Sequence, residues 1–434
     1  MIIRNIFILT FLLSFAYIGN AIDILGIASS ENGAGLLYNK LAGEFNEYAK
    51  KKELDITVTV NLLSKENSTV EVTDYESTLD SLLPKKSEKY DIIFYDNIFT
   101  SKYGQHFVNL KEVVSDEYFK LYEKGIAPQS CVYDNKWVAF PVSIDLSVLY
   151  YNKDLLDKYH KSPPKTWNEL RETTQYIMSK ENNKDLVGYN GLFPDNEIGT
   201  CSLYEFFYTF RDKPESSYPS FDSKEAKDAF NMLIKLKEEV ASDDIFKQDI
   251  YFAIDSLDKN NLFTKSWYVP SMTNSSFTLI PGNKEGVTGS TIGGFNVAIN
   301  KYVKSDNQKA AAKFIEFLAS KDIQKEIVME NKVFSALPSI YDDADVCNIV
   351  ECEVFKNVQL ITRPSSKYND YSTFSQKFRK AVYDGLYEDK SVEETLKNIK
   401  NIVDDFASSY LKKSYYGLIT YFIIYFIYYL YINF

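Results

Sequence analysis

One stretch of the chain, residues 137–170, decides the predicted fold: WVAFPVSIDLSVLYYNKDLLDKYHKSPPKTWNEL. Its first part is apolar apart from one interruption, the SID sequence at 143–145. Pro141 removes a backbone donor and fixes φ, which suits the start or the edge of a strand. Residues 148–151 (VLYY) have the continuous apolar character of a buried strand. The stretch therefore predicts two successive strands that are separated by a short polar bend.

The second half of this stretch predicts helices. A short amphipathic helix is expected after residues 152–154 (NKD), and the prolines at 163–164 end it. Thr166 is followed three residues later by Glu169, which is the capping-box pattern of a helix N-terminus. Strands that alternate with helices in this way indicate an α/β protein.

This stretch resembles the first interdomain crossover of the extracellular solute-binding proteins, and most closely their maltodextrin-binding branch. In that family an aromatic-Pro pair is followed by an acidic residue, a Tyr-Asn-Lys-Asp-Leu-Leu run and Pro-Pro-Lys-Thr-Trp. The matching residues here are Phe140-Pro141, Asp145, 151–156 and 163–167. The resemblance implies a type II periplasmic-binding-protein-like fold of two α/β lobes, which are joined by crossover strands around a ligand cleft.

The resemblance also implies how the chain divides between the lobes. The first lobe is expected to comprise 22–140 plus 293–340, and the second 141–292 plus 341–408. A length of 434 residues agrees with two domains, because it exceeds what a single core usually holds.

The composition narrows the range of functions. A formal charge of −11 argues against a nucleic-acid binder, because no excess of Lys and Arg is available for phosphates. Only two histidines are present, and the chain has no Gly-x-Ser-x-Gly elbow, His-Glu-x-x-His motif or phosphate loop. We therefore predict no catalytic residues, no cofactor and no metal site. A glycan-acting enzyme is a less favoured alternative. Such an enzyme needs two carboxylates at a defined separation, but accidental pairs are inevitable among 60 acidic residues and are therefore not evidence for it.

Both ends of the chain carry targeting patterns. Residues 1–21 are predicted to be a secretory signal peptide, with one arginine before an apolar run and small residues at the end. Residues 415–434 carry no charge and are long enough for a bilayer core of about 30 Å. We predict a transmembrane helix at 414–434, with a removed GPI signal or a fragment of a longer receptor as alternatives. This layout predicts a cell-surface ectodomain that is anchored at its C-terminus, with a possible transmembrane signalling or transport partner.

Four cysteines in an exported chain suggest disulfides. Cys347 and Cys352 are close enough to close a small loop. Cys131 and Cys201 can pair only if the fold brings them together. Two glycosylation sequons begin at Asn67 and Asn274.

The candidate ligand-binding residues come from strand ends and from the resemblance. Asp96 follows a buried strand pattern at 90–95 (YDIIFY), and ligands of open α/β sheets bind beyond the carboxyl ends of strands. An alternative is that Asp96 only caps the next turn, and Trp267 is equally compatible with a packed core tryptophan. Arg363-Pro364 resembles a later family segment without an assigned role. The ligand-binding residues implied by the resemblance are Ser30, Glu31, Tyr95, Asp96, Asp145, Glu197, Trp267, Phe295 and Tyr341.

These residue types suit a carbohydrate. The C–H faces of a sugar stack on aromatic rings, and carboxylates accept hydrogen bonds from its hydroxyls. The sequence therefore predicts extracellular oligosaccharide binding by closure of two lobes. A binding protein for another small solute, such as a polyamine, a peptide or an amino acid, is the main alternative.

Overall fold

The computed structural model describes residues 21–29, 34–63, 75–181, 183–257, 259–269, 275–367, 370–388 and 390–408. Several predictions fall outside these ranges: residues 1–20 of the signal peptide, the C-terminal segment 414–434, Ser30, Glu31, and the sequon residues Asn67 and Asn274. Of the helices in the described ranges, none is both long enough and apolar enough to cross a membrane.

The strands of the described ranges are β1 (Ile22–Ser29), β2 (Ile56–Leu63), β3 (Ile92–Asp96), β4 (Val132–Tyr133), β5 (Lys136–Trp137), β6 (Phe140–Asp145), β7 (Ser147–Tyr151), β8 (Val187–Asn190), β9 (Asn261–Trp267), β10 (Ser276–Thr278), β11 (Ser290–Thr291), β12 (Gly293–Ile299) and β13 (Leu360–Ile361).

The α-helices are α1 (Ala34–Lys51), α2 (Tyr75–Leu82), α3 (Thr100–Tyr103), α4 (Asp116–Tyr122), α5 (Ala127–Ser130), α6 (Lys153–Lys158), α7 (Trp167–Lys180), α8 (Glu197–Tyr208), α9 (Lys224–Val240), α10 (Asp243–Phe246), α11 (Ile250–Asp255), α12 (Ser305–Ala319), α13 (Lys321–Asn331), α14 (Ala344–Cys347), α15 (Cys352–Asn357), α16 (Tyr371–Tyr387) and α17 (392–408).

The first lobe is built on a five-stranded sheet in the order β2-β1-β3-β12-β6. β1 is parallel to β2 and β3, whereas β12 is antiparallel to β3 and β6. The apolar strands are covered by helices, as parallel strands usually are. Phe45 of α1, for example, contacts Phe314 and Phe317 of α12 with ring centroids 5.1 and 5.5 Å apart.

The second lobe is built on a four-stranded sheet in the order β10-β7-β9-β8, with its own hydrophobic core. Trp167 lies in this core, where its ring packs on Phe206 at 4.7 Å and its N–H donates to Thr209 Oγ1 at 2.8 Å. The predicted capping box of Thr166 and Glu169 begins α7. These contacts fix the start of α7 against α8 in the core of the second lobe.

Leu146 carries the chain from the first sheet to the second, since it alone separates β6 from β7. On the return path, Ile292 alone separates β12 of the first sheet from β11, which pairs with β13 and not with the second sheet. β13 runs parallel to β11, and the Ser147 N–H donates to Ser290 Oγ at 2.7 Å, so the crossings are bonded to each other. The predicted two-lobed α/β fold with crossover strands is confirmed.

Residues 341–355 pack beside the first lobe, although they were predicted to belong to the second. Tyr341 and Phe355 belong to the first hydrophobic core, whereas residues of the second core resume at Phe374. The lobe boundaries as a whole stay a prediction. Within the packed segment, a disulfide joins Cys347 to Cys352, with Cα atoms 5.2 Å apart.

The other two cysteines are not paired with each other. Cys131 and Cys201 are buried free thiols, and Cys131 belongs to the core of the first lobe whereas Cys201 lies on α8. Burial raises the pKa of both thiols to about 12, because the charged thiolate loses its hydration.

Candidate ligand-binding site

Asp145 lies at the point where the chain leaves the first sheet. It is the last residue of β6, and its side chain is exposed to solvent. Its carboxylate forms no hydrogen bond or ion pair with any residue in the described ranges. Burial by the surrounding protein nevertheless raises the pKa of Asp145 to about 6; the charge of Asp96 adds to this rise, and Arg363 opposes it. The carboxylate is therefore accessible to solvent, although the surrounding protein still disfavours its charged form.

Trp267 lies beside Asp145 at the end of β9. Its side chain is half-buried and belongs to neither hydrophobic core. A Cβ atom placed on Gly293 would lie 3.4 Å from Asp145 Oδ2 and 3.8 Å from the Trp267 ring. Because Gly293 has no side chain, the carboxylate and the aromatic ring border the same space.

Gly294 allows β12 and β6 to approach at this point. Its φ of 98° lies in the left-handed region, and a Cβ atom there would be 2.3 Å from the Ser143 carbonyl oxygen. Only glycine fits this conformation without displacing the backbone of β6. Gly294 therefore has a structural role, whereas Gly293 leaves open the space between Asp145 and Trp267.

A buried ion pair lies next to Trp267. Lys265 Nζ lies 2.7 Å from Glu205 Oε1 and 5.6 Å from the centre of the Trp267 ring. Glu205 Oε2 also accepts hydrogen bonds from the N–H and the hydroxyl of Thr291, at 3.0 and 3.1 Å. The pair thus connects α8, β9 and β11.

Phe295 and Asp96 face each other on neighbouring strands of the first sheet. They are register partners in the β12–β3 pair, and both are half-buried. Asp96 Oδ1 accepts a hydrogen bond from the Ile98 N–H at 3.0 Å, so it does cap the following turn. It also forms an ion pair with Arg363, which capping alone does not explain.

Glu197 faces these residues from the second lobe. It is the first residue of α8, where Tyr371 Oη and Ser375 Oγ donate to its two carboxylate oxygens at 2.6 and 2.7 Å. Arg363 Nη1 lies 3.6 Å from Glu197 Oε1. Arg363 therefore joins the site, although no role was predicted for it from the sequence.

Two predicted site residues lie elsewhere. Tyr95 is fully buried, and its hydroxyl lies 3.0 Å from Thr100 Oγ1. Tyr341 is packed on Phe334 at 5.1 Å, and its hydroxyl accepts from the Ser335 N–H at 2.7 Å. Both tyrosines belong to the core of the first lobe rather than to the cleft.

The site therefore combines three carboxylates, one guanidinium and two half-buried aromatic rings. The members brought together are Asp96, Asp145, Glu197, Arg363, Trp267 and Phe295. Carboxylates and an arginine can exchange hydrogen bonds with a polar ligand, while the rings offer flat apolar faces.

Comparisons with known proteins agree with this architecture. A family profile described as "Bacterial extracellular solute-binding protein" matches residues 44–353. A probable ABC transporter-binding protein of Deinococcus radiodurans is 27% identical over an alignment of 346 residues, and this alignment covers 73% of this chain and 80% of that protein.

Solved structures share the fold at low sequence identity. Maltose-bound MalE3 of T. maritima has a TM-score of 0.68 at 22% identity, over 88% of this chain and 99% of that one. The cyclic α-maltosyl-1,6-maltose binding protein of Arthrobacter globiformis has a TM-score of 0.73 at 16% identity, over 89% and 99%. The GacH receptor of Streptomyces glaucescens, described with acarbose, has a TM-score of 0.65 at 16% identity, over 88% and 99%.

Proposed function

Because the chain belongs to the bacterial extracellular solute-binding proteins, we propose that it binds an oligosaccharide in the cleft by closing its two lobes on the sugar. The observation that carries this proposal is the pairing of Asp145 with Trp267 across Gly293. The unpaired carboxylate can accept from sugar hydroxyls, and the ring can stack on the C–H face of the same residue. The sugars named for the similar structures add support, since maltose and acarbose carry both kinds of surface.

The remaining residues complete the sugar site from both lobes. Phe295 offers a second apolar face from the first sheet, and Glu197 offers carboxylate oxygens from the second lobe. A ligand that bonds to both lobes stabilises the closed arrangement by its difference in affinity for the two states. The proposed action is therefore capture without chemical change.

A thermal-shift screen of mono- and oligosaccharides tests this function. A sugar at a hundred times its dissociation constant stabilises the folded protein by about 2.7 kcal/mol. We expect one sugar class to raise the melting temperature, Asp145→Ala to lose this shift, and Asp154→Ala to keep it. Asp154 is the matched control, because it is an exposed aspartate on α6, away from the cleft.

Two other results would change the proposed ligand or the proposed function. A shift with amino acids, peptides or polyamines, but with no sugar, would replace the proposed ligand and keep the fold. Conversion of an oligosaccharide to new products during long incubation would favour the glycan-acting enzyme.

We also propose where the protein acts. Proteins of this family are extracellular by description, and the predicted signal peptide supports export. Residues 414–434 would tether the cleft to the membrane, where a signalling or transport partner could detect closure. Fractionation of the full chain tests the tether: recovery in the wash at high pH, rather than in the membrane pellet, would contradict it. Mass spectrometry of the same material would detect glycans at Asn67 and Asn274.

A further inference from the structure

The segment 362–367, which follows β13, leads into a helix of the second lobe but is hydrogen-bonded to the first lobe. It leads to α16, which packs in the second core through Phe374 and Phe378. Within it, the Ser365 carbonyl accepts from Ser101 Oγ at 3.0 Å, and Arg363 lies 3.4 Å from Asn97 Oδ1. The segment is therefore fastened to the first lobe at the edge of the cleft.

Arg363 extends this connection across the cleft. One side of its guanidinium pairs with Asp96 at the end of β3. The other side lies 3.6 Å from Glu197 at the start of α8. A single cation thus lies between carboxylates of opposite lobes.

The two ends of this bridge differ in strength. Asp96 receives a direct hydrogen bond from Arg363, whereas the contact with Glu197 is a longer ion pair. Glu197 is independently held by Tyr371 and Ser375 of α16. Rotation of the lobes would consequently lengthen the contact between Arg363 and Glu197 before it breaks the hydrogen bond between Arg363 and Asp96.

The surroundings of Arg363 strengthen this electrostatic coupling. Arg363 is only 8% exposed, and its Nε has no hydrogen-bond partner in the described ranges. Charges interact more strongly when protein rather than water surrounds them. Asp145 adds a third carboxylate within electrostatic range, so that one guanidinium offsets three negative charges.

We propose that Arg363 is a positioning residue, which holds Asp96 and Glu197 together across the cleft and thereby sets the balance between open and closed forms of the solute-free protein. The proposal rests on lobe closure, but not on which solute binds. Without Arg363 the carboxylates of the two lobes repel each other, and the open form gains population.

Distances between spin labels on the two lobes test the proposal. Labels are attached to Lys120→Cys on the first lobe and Lys235→Cys on the second; both lysines are exposed, whereas the free native cysteines are buried. Distance distributions are measured by pulsed electron resonance without solute and then with maltotriose. The full chain is used throughout.

The variants separate charge from general damage to the fold. Arg363→Met should move the solute-free distribution to longer distances, and Arg363→Lys should stay near the wild type. Adding Glu197→Gln to Arg363→Met should reverse part of the opening, because one repelling charge is removed. Arg171→Met is the control, since Arg171 forms an ion pair with Glu239 on the second lobe alone.

Two outcomes would overturn the proposal. One is an unchanged distance distribution in a folded Arg363→Met variant. The other is an opening that Glu197→Gln does not reduce. If Arg363→Met fails to fold, Glu197→Gln alone tests the bridge from the second lobe, and unchanged distances there refute it equally. Failure to respond to maltotriose in every variant would instead count against the proposed sugar, since the solute-free distances are independent of it.

Discussion

Replacing Asp145 by asparagine is expected to stabilise the solute-free protein while it removes solute binding. Asparagine keeps the size of the side chain and removes its charge. Burial and Asp96 raise the pKa of Asp145 from 3.8 to about 6, so the folded protein binds this proton more tightly than the unfolded chain does. The folded state is therefore penalised for this residue as the pH rises above 3.8, and the penalty is complete once the pH has passed the folded pKa of about 6.

The size of this effect follows from the two pKa values. Their difference corresponds to about 3 kcal/mol if it is converted directly. Because the side chain is exposed to solvent, screening reduces the expected gain to about 1 kcal/mol. For a chain of this length that gain is a rise in melting temperature of about 1–2 °C at pH 7.

Calorimetry of wild type and Asp145→Asn between pH 4 and pH 8 checks this reasoning. The advantage of the variant should grow as the pH rises from 4 to 7, and the shift caused by maltotriose should disappear. A variant that is less stable than the wild type at pH 7 would contradict the prediction. So would an advantage of equal size at pH 4 and pH 7, because ionisation would then not be its cause.

Three further predictions concern the surroundings of the cleft and the disulfide. Trp267→Ala should weaken sugar binding by about tenfold or more, and titration of the intrinsic fluorescence should show that the sugar-dependent change of the wild type is lost. Lys265→Met should destabilise the protein by about 3–5 kcal/mol in urea unfolding, because Glu205 is left as an unpaired buried charge, and adding Glu205→Gln should recover part of this loss. Cys347→Ser should lower the unfolding free energy by about 2 kcal/mol, since the closed loop is short, while a reducing agent should lower that of the wild type to the same level.

The features that the sequence predicted well are local ones. The capping box at Thr166 and the loop closed by Cys347 each involve residues only a few positions apart. Such features depend on backbone preference and chain geometry, which the sequence displays directly. The predicted polar bend at 143–145 is wrong, because these residues belong to β6 and the strands are separated at the buried Leu146. The two lobes followed from the resemblance, because its motif lies at the crossover itself.

The features that escaped prediction depend on contacts between distant parts of the chain. Arg363 and Asp96 are 267 positions apart, and nothing in the residues around either one indicates the ion pair. Tyr95 was expected in the cleft, but residues 92–95 are all buried, because both faces of β3 are covered. In such a strand the sequence does not reveal which face points toward a ligand.

The brevity of the crossings has a mechanical consequence. Leu146 and Ile292 are single buried residues between strands, and the hydrogen bond from Ser147 to Ser290 ties their neighbourhoods together. Two short connections that are bonded to each other define a hinge axis. The lobes can rotate about this axis, whereas twisting or sliding of one lobe against the other is resisted. A partner protein that contacts the outer surfaces of both lobes would therefore detect one variable, the angle between the lobes. This holds whichever solute causes the closure.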